Sequence, residues 1–289
     1  MTISKKFNIV LISVFIVGLV VVGYVSNYIL QKNARDEVIR HAGMMMQAAL
    51  AIRSYTIKEI KPLLVNQLND EFLPQTVPSY AATQNFNSLR ENNPEYTYKE
   101  ATLNPTNPRD RAADWESDII QQFSNKSDLK EFIGERETAT GKSLFLARPI
   151  RITNDACLAC HSTVDNAPKS MIKLYGEANG FGWQHNQVVG SQIISVPLSY
   201  PVKKADQAWL LFMGLMVAIF VCIFILLNIM LKKLIIKPIM KISTIADEVS
   251  NGNMDIEAFK SRSNDEVAML AASFERMRIS LKKAMQMLS

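Results

Sequence analysis

Two uninterrupted apolar runs divide the chain. Phe7 to Leu30 holds only Asn8, Ser13, Ser26 and Asn27 as polar members, and Ala208 to Leu231 is broken only by Asn228. Each run of 24 residues makes a helix about 36 Å long, enough to cross a bilayer with some tilt. The first lacks a small-x-small cleavage site and exceeds the apolar core of a signal peptide, so it reads as an uncleaved anchor. Between the runs lie residues 31–206, enough to bury one ordinary core.

Within that middle segment the period changes. Val38, Ala42, Met45, Ala49, Ile52 and Thr56 recur at spacings of four and three, which predicts a helix over Gln31 to Asn69 that Pro62 kinks or ends by removing a donor amide. Glu71 to Pro108 carries Pro74, Pro78, Pro94, Pro105 and Pro108 and is expected to be mostly irregular. Arg109 to Ser124 reads as a short helix with Trp115, Ile119 and Phe123 on one side. Ser143 to Ile152 alternates, with Leu144, Leu146, Ile150 and Ile152 on one face, and Val188 to Pro197 is a second strand leading to the second apolar run. Helix, loops and a few strands define an α+β domain rather than a helix bundle.

After the second run the helical period returns. Ile235, Ile239, Ile242, Ala246 and Val249 recur at four and three, and Asn251-Gly252-Asn253 breaks the stripe. Ser263-Asn264-Asp265-Glu266 reads as a Ser-x-x-Glu capping box, followed by Val267, Leu270, Phe274, Met277, Leu281, Ala284 and Leu288 at threes and fours. Two short helices cannot bury such stripes alone, so a homodimer paired as a parallel bundle is expected.

Charge orients these parts. Between Gln31 and Asp206 there are 20 Lys and Arg against 20 Asp and Glu, so the net charge of +5 lies outside that segment, with Lys5 and Lys6 before the first run and Lys232, Lys233, Lys237 and Lys241 after the second. The positive-inside rule then predicts cytoplasmic termini and an outer middle segment. The sequence pI near 9.0 reports this topology and gives no reason to expect nucleic-acid binding. The expected organisation is a cytoplasmic N-terminus 1–6, spans 7–30 and 208–231, an outer domain 31–206 and an all-α relay 232–289.

Cys157-Leu158-Ala159-Cys160-His161 carries the chemistry. Cys-x-x-Cys-His attaches a c-type haem: the two thiols add to its vinyl groups and the histidine becomes the proximal iron ligand. A zinc site would need a second ligand pair, for which only His41 and His185 remain outside the spans, and adjacent Cys160 and His161 rarely face one tetrahedral metal. A redox dithiol lacks its usual αβ surroundings. One covalent haem c per chain is therefore the expected cofactor, and its attachment on the outer face of a bacterial inner membrane agrees with the charge argument.

Two resemblances cover nearly the whole chain. Pro238, Gly252, Asp265-Glu266 and Phe274-x-x-Met277 resemble a HAMP linker, the membrane-proximal relay of bacterial receptors. Arg53 to Thr56, Pro94 to Glu100, Asn104 to Asp110, Ala156 to His161 and Gly180 to Trp183 resemble the c-type haem, PAS-like periplasmic sensor family. That resemblance implies a haem-containing PAS-like domain sensing redox state or a small gas.

The remaining site residues follow from chemistry. No thiolate outside the spans is left for the sixth iron position, since Cys222 lies within the second run. The distal candidates are Met45, which shares the apolar stripe of its helix, and alternatively His41, Met44, Met46, Met171 and His185. Arg53, Arg109, Arg111 and Arg148 are candidates for the haem propionates. Tyr55, Trp115, Phe181 and Trp183 could wall the group. The sequence thus describes an inner-membrane haem sensor acting as a homodimer through HAMP on a cytoplasmic partner in trans, since no kinase, cyclase or methyl-accepting segment follows. The rival class is a membrane-anchored monohaem electron-transfer cytochrome. No acid–base constellation calls for an enzyme.

Overall fold

The computed structural model describes every residue except 140, 255, 258–264 and 289, and the side chains of all of those but 69 and 288. It divides into two compact units, 27–208 and 1–26 with 209–289.

The 27–208 unit is built on a four-stranded antiparallel sheet of order β1-β4-β3-β2. The strands are β1 (Thr97–Thr102), β2 (Phe132–Thr138), β3 (Gly141–Arg151) and β4 (Val188–Pro197). One face is covered by α1 (Ile3–Tyr55) and α3 (Pro78–Asn92). Val38, Ala42, Met46 and Ala49 of α1, with Ala82 and Phe86 of α3, pack there on Tyr98, Leu144, Leu146, Ile194 and Val196. The other face is covered by α4 (Asp114–Asn125), whose Ile119, Ile120 and Phe123 meet Ala101, Phe145, Ala147 and Ile193. Alternate residues of β3 therefore enter different cores, because successive side chains of a strand point to opposite faces. A register shift between Ile150 and Arg151 ends the alternation predicted to reach Ile152.

Two expectations are corrected here. The stretch Glu71 to Pro108 contains α3 and β1; Pro78 occupies the first turn of α3, where a missing donor costs nothing, and Pro74 opens a 3₁₀ turn. Arg109 belongs to a 3₁₀ turn, Pro108–Asp110, and not to α4. α4 begins at Asp114, where the Glu116 carboxylate accepts the Ala113 amide at 2.8 Å and also meets the Lys99 ammonium at 2.6 Å. Pro62 acts as expected: α1 gives way to a π turn, Thr56–Ile60, before the short α2 (Lys61–Leu63) that contains it. Two short helices complete the unit, α5 (Leu158–His161) and α6 (Lys169–Tyr175).

The other unit holds most of both apolar runs, which lie in helices long and apolar enough to cross a membrane. The first lies in α1 and the second in α7 (Ser199–Met230). Phe15 stacks on Phe220 with centroids 4.6 Å apart, and the Trp209 indole donates to the Gly23 carbonyl at 2.8 Å, so the two run antiparallel. A π turn, Leu231–Ile236, precedes α8 (Lys237–Ser250), with Pro238 in its first turn. Gly252 takes φ +89° after α8, the left-handed turn its position predicted. α9 (Glu266–Leu288) is capped by Asp265, whose carboxylate accepts the Ala268 amide at 2.9 Å; Ser263 and Asn264 of the expected capping box lie outside the described residues. Ile242, Val249 and Ala271 are buried, while Leu270, Met277 and Leu281 are each at least 45% exposed. The stripe is unspent within one chain.

Candidate functional site

The Cys-x-x-Cys-His motif folds as a tight turn. Asp155–Cys157 form a 3₁₀ turn capped by Asn154, whose side chain accepts the Ala156 amide at 2.9 Å, and α5 follows directly. Residues three apart in such a turn share one side, which brings the Cys157 and Cys160 thiols together. Both are free and half-buried.

His161 is held from several directions. Its Nδ1 lies 2.7 Å from the Gly180 carbonyl oxygen, which can only accept, so Nδ1 carries the proton and Nε2 keeps its lone pair. The Thr106 hydroxyl stands 3.4 Å from the same nitrogen. The Trp183 indole stacks on the imidazole, with centroids 4.0 Å apart and planes 15° from parallel. The 180–183 strap is also tied to the motif by backbone: Gly182 N–H donates to Ser162 O at 2.8 Å and Trp183 N–H to His161 O at 3.1 Å. Gly180 needs to be glycine, because its φ is +88° and a Cβ there would strike Thr106. Burial pulls the imidazole below its ordinary pKa, against an opposing effect of the Gly180 hydrogen bond, and favours a neutral ring.

Around this turn lie cations and aromatics. Arg53 pairs with the buried Glu100, which also accepts the Tyr98 hydroxyl, and Gln192 donates to Tyr98 at 3.3 Å. Burial, with Glu100 beside it, holds the Tyr98 phenol protonated far above its ordinary range. Arg53 is within electrostatic reach of Cys157, and Lys61 of Cys160. Arg109 pairs with Asp110 at 3.3 Å and lies over the Tyr80 ring at 5.3 Å; Tyr175 feels both charges and meets Phe72 edge-on. Arg111 donates to Asn179, next to the strap, at 3.2 Å. Arg148 is committed to Glu131 at 2.9 Å.

Of the distal candidates, His41, Met44 and Met45 line one cavity, while Met46, Met171 and His185 lie elsewhere. Met46 is fully buried between α1 and the sheet, and Met45 packs beside it in a cavity with Leu89, Asn93 and Tyr96. Met44 is exposed, and His41 pairs with Glu37 at 3.3 Å. Met171 is buried on α6, which also carries Tyr175. His185 Nδ1 lies 2.9 Å from Asp155 at the approach to the motif. Of the aromatics, Trp183 joins the site, whereas Trp115 packs on Phe145 at the α4 side. Lys61, Tyr80 and Tyr175 were not singled out from sequence, and Asn104 and Thr106 only as part of a stretch that carries the family resemblance, without a role of their own. For Asn104 and Thr106 the signal was the Asn-Pro-Thr-Asn-Pro stretch itself.

A long helix and an antiparallel sheet present this turn, and two amphipathic helices follow the second apolar run. The Tll0287 family model matches residues 31–197, and the chain belongs to this Tll0287-like family of haem proteins. The HAMP domain model matches residues 230–283. Among solved structures, the chain is similar to the cyanobacterial heme-protein Tll0287, with 15% identity over 56% of this chain and 95% of that one and a TM-score of 0.43. No curated protein matches the chain.

Proposed function

We propose that the chain is a haem-based sensor of redox state or a small gas, anchored in a bacterial inner membrane by two spans. In this proposal a PAS-like periplasmic domain carries one haem c, both termini are cytoplasmic, and a homodimeric HAMP relay acts on a cytoplasmic partner. The observation that carries it is the state of His161. With Nδ1 bonded to a carbonyl, Nε2 is left as a lone-pair donor beside two free thiols of the same turn, a donor set that fits c-type haem. Haem supplies a one-electron couple and an iron that can bind a diatomic gas. Cys157 and Cys160 would hold it covalently, His161 would ligate it, and Arg109, with Arg53 and Lys61 nearby, would balance its propionates.

The other uses of the motif fare worse. Among the described residues no three His, Cys, Asp or Glu side chains gather to hold a metal ion, as zinc would need. Burial pushes the Cys160 thiol up, a larger effect than the pull of Lys61, whereas a redox nucleophile needs a depressed thiol.

Sensing is favoured over electron transfer by the HAMP match and by α1, one unbroken helix containing both the first apolar run and Arg53. Absorption spectra of the purified chain, ferric and ferrous, with and without carbon monoxide and nitric oxide, test the reading. A sensor is expected to change ligation on reduction or on gas addition. A haem that is reduced and reoxidised with unchanged ligation and ignores both gases is the electron-transfer cytochrome. If Met45 is the distal ligand, Met45→Ala is expected to open the sixth iron position and convert a low-spin spectrum to a high-spin one that binds carbon monoxide; an unchanged spectrum would remove Met45 from that role.

A further inference from the structure

The side-chain amide of Asn104, just after β1, is spent on one point of the strap. Its Oδ1 accepts the Gly180 amide at 3.2 Å, and its Nδ2 donates to the Phe181 carbonyl at 3.2 Å. These two groups bracket a single peptide plane, the one joining Gly180 to Phe181. The carbonyl of that plane is the acceptor for His161 Nδ1.

We propose that Asn104 is a positioning residue for the iron: by clamping the Gly180–Phe181 peptide it aims the Gly180 carbonyl at His161 and so sets the reduction potential. The proposal rests on the haem reading above. A hydrogen bond at the outer nitrogen of a ligating histidine raises the basicity of the ligating nitrogen. A more basic imidazole favours ferric iron. Without Asn104 the peptide is free to tilt, the Nδ1–H bond lengthens, and the ferrous state gains. The strap itself stays in place, since the Gly182 and Trp183 amides still bind the motif and Trp183 still stacks on the ring. Haem attachment therefore survives the change.

The test is a potentiometric titration of the full-length, haem-loaded chain carrying Asn104→Ala or Asn104→Ser. Ser143→Ala serves as the control, because its buried hydroxyl donates to Val196 at 3.0 Å at the other end of β4 from Gly190 and touches nothing in the strap. Both Asn104 variants should raise the potential, shifting the ferrous-to-ferric ratio at fixed ambient potential by roughly tenfold, about 59 mV for one electron. The His161 ring N–H proton should also exchange faster with solvent, while Ser143→Ala lowers the melting temperature and leaves the potential alone. If Asn104→Ala fails to load, Asn104→Ser, which keeps an oxygen acceptor for the Gly180 amide, carries the comparison. Haem-loaded Asn104 variants at the unsubstituted potential would overturn the proposal, as would an equal shift in Ser143→Ala. Absence of covalent haem in the unsubstituted chain would instead defeat the haem reading, and is checked first.

Discussion

Replacing Cys157 and Cys160 together by alanine is expected to abolish haem staining of the chain on denaturing gels. The unsubstituted chain, made in cells with c-type maturation, should stain. The argument is covalent: a thioether survives denaturation, whereas a haem held only by His161 and its walls is lost when the fold opens. The double substitution should cost the fold little directly, since both thiols are only half-buried and make no disulfide. Loss of stain with an intact apoprotein is thus the specific outcome. Haem extracted by acidified organic solvent from the unsubstituted chain would contradict the account. The same attachment demands an outer location, so a reporter active only in the periplasm should be active when fused after Gln121; silence there would reverse the orientation.

The second large effect concerns Arg53. Its guanidinium is the cationic partner of Glu100, whose side chain is only 6% exposed and whose other partner is the Tyr98 hydroxyl. Arg53→Met leaves that carboxylate buried without a counter-charge. Breaking a buried pair by removing one partner costs about 3–5 kcal/mol; because Arg53 itself is 24% exposed, a loss of about 3 kcal/mol is expected in denaturant unfolding of the chain. Adding Glu100→Gln should recover part of it, since no charge is then left to bury. An unchanged unfolding midpoint in Arg53→Met would show that solvent reaches Glu100 and that the network is not buried.

Which parts were legible in sequence has a physical pattern. β3 and β4 could be read because apolar residues fill them, and the α1 stripe because Val38, Ala42 and Ala49 repeat at helical spacing against one sheet face. β2 escaped because it is an edge strand whose Glu135, Arg136 and Glu137 hide the period; Glu135 instead meets Arg35 of α1 at 2.9 Å and Lys142 of β3 at 3.2 Å. α3 and β1 escaped because the prolines at their borders look, in sequence, like disruption of the whole stretch. Cys157, Cys160 and His161 announce themselves by spacing. Trp183 was legible as a walling aromatic, but the contacts made by Trp183, the Gly180 carbonyl and Asn104 were not, since each reaches its partner across a long stretch of chain that only the fold brings together.

The central claim is that the state of the iron reaches the HAMP helices. Single cysteines at Leu270 or Met277, in a Cys222→Ser background, report it through cross-linking between copies, with Arg276 and Lys283 as off-stripe controls. Leu270 and Met277 lie on the exposed apolar stripe of α9, which a second copy would cover. Both stripe positions should cross-link far faster than the controls, and the rate at Leu270 should differ between ferric and ferrous membranes because a sensor must couple the two sites. Equal rates at all four positions would contradict the parallel seam, and a stripe rate identical in the two iron states would contradict sensing and leave the electron-transfer cytochrome.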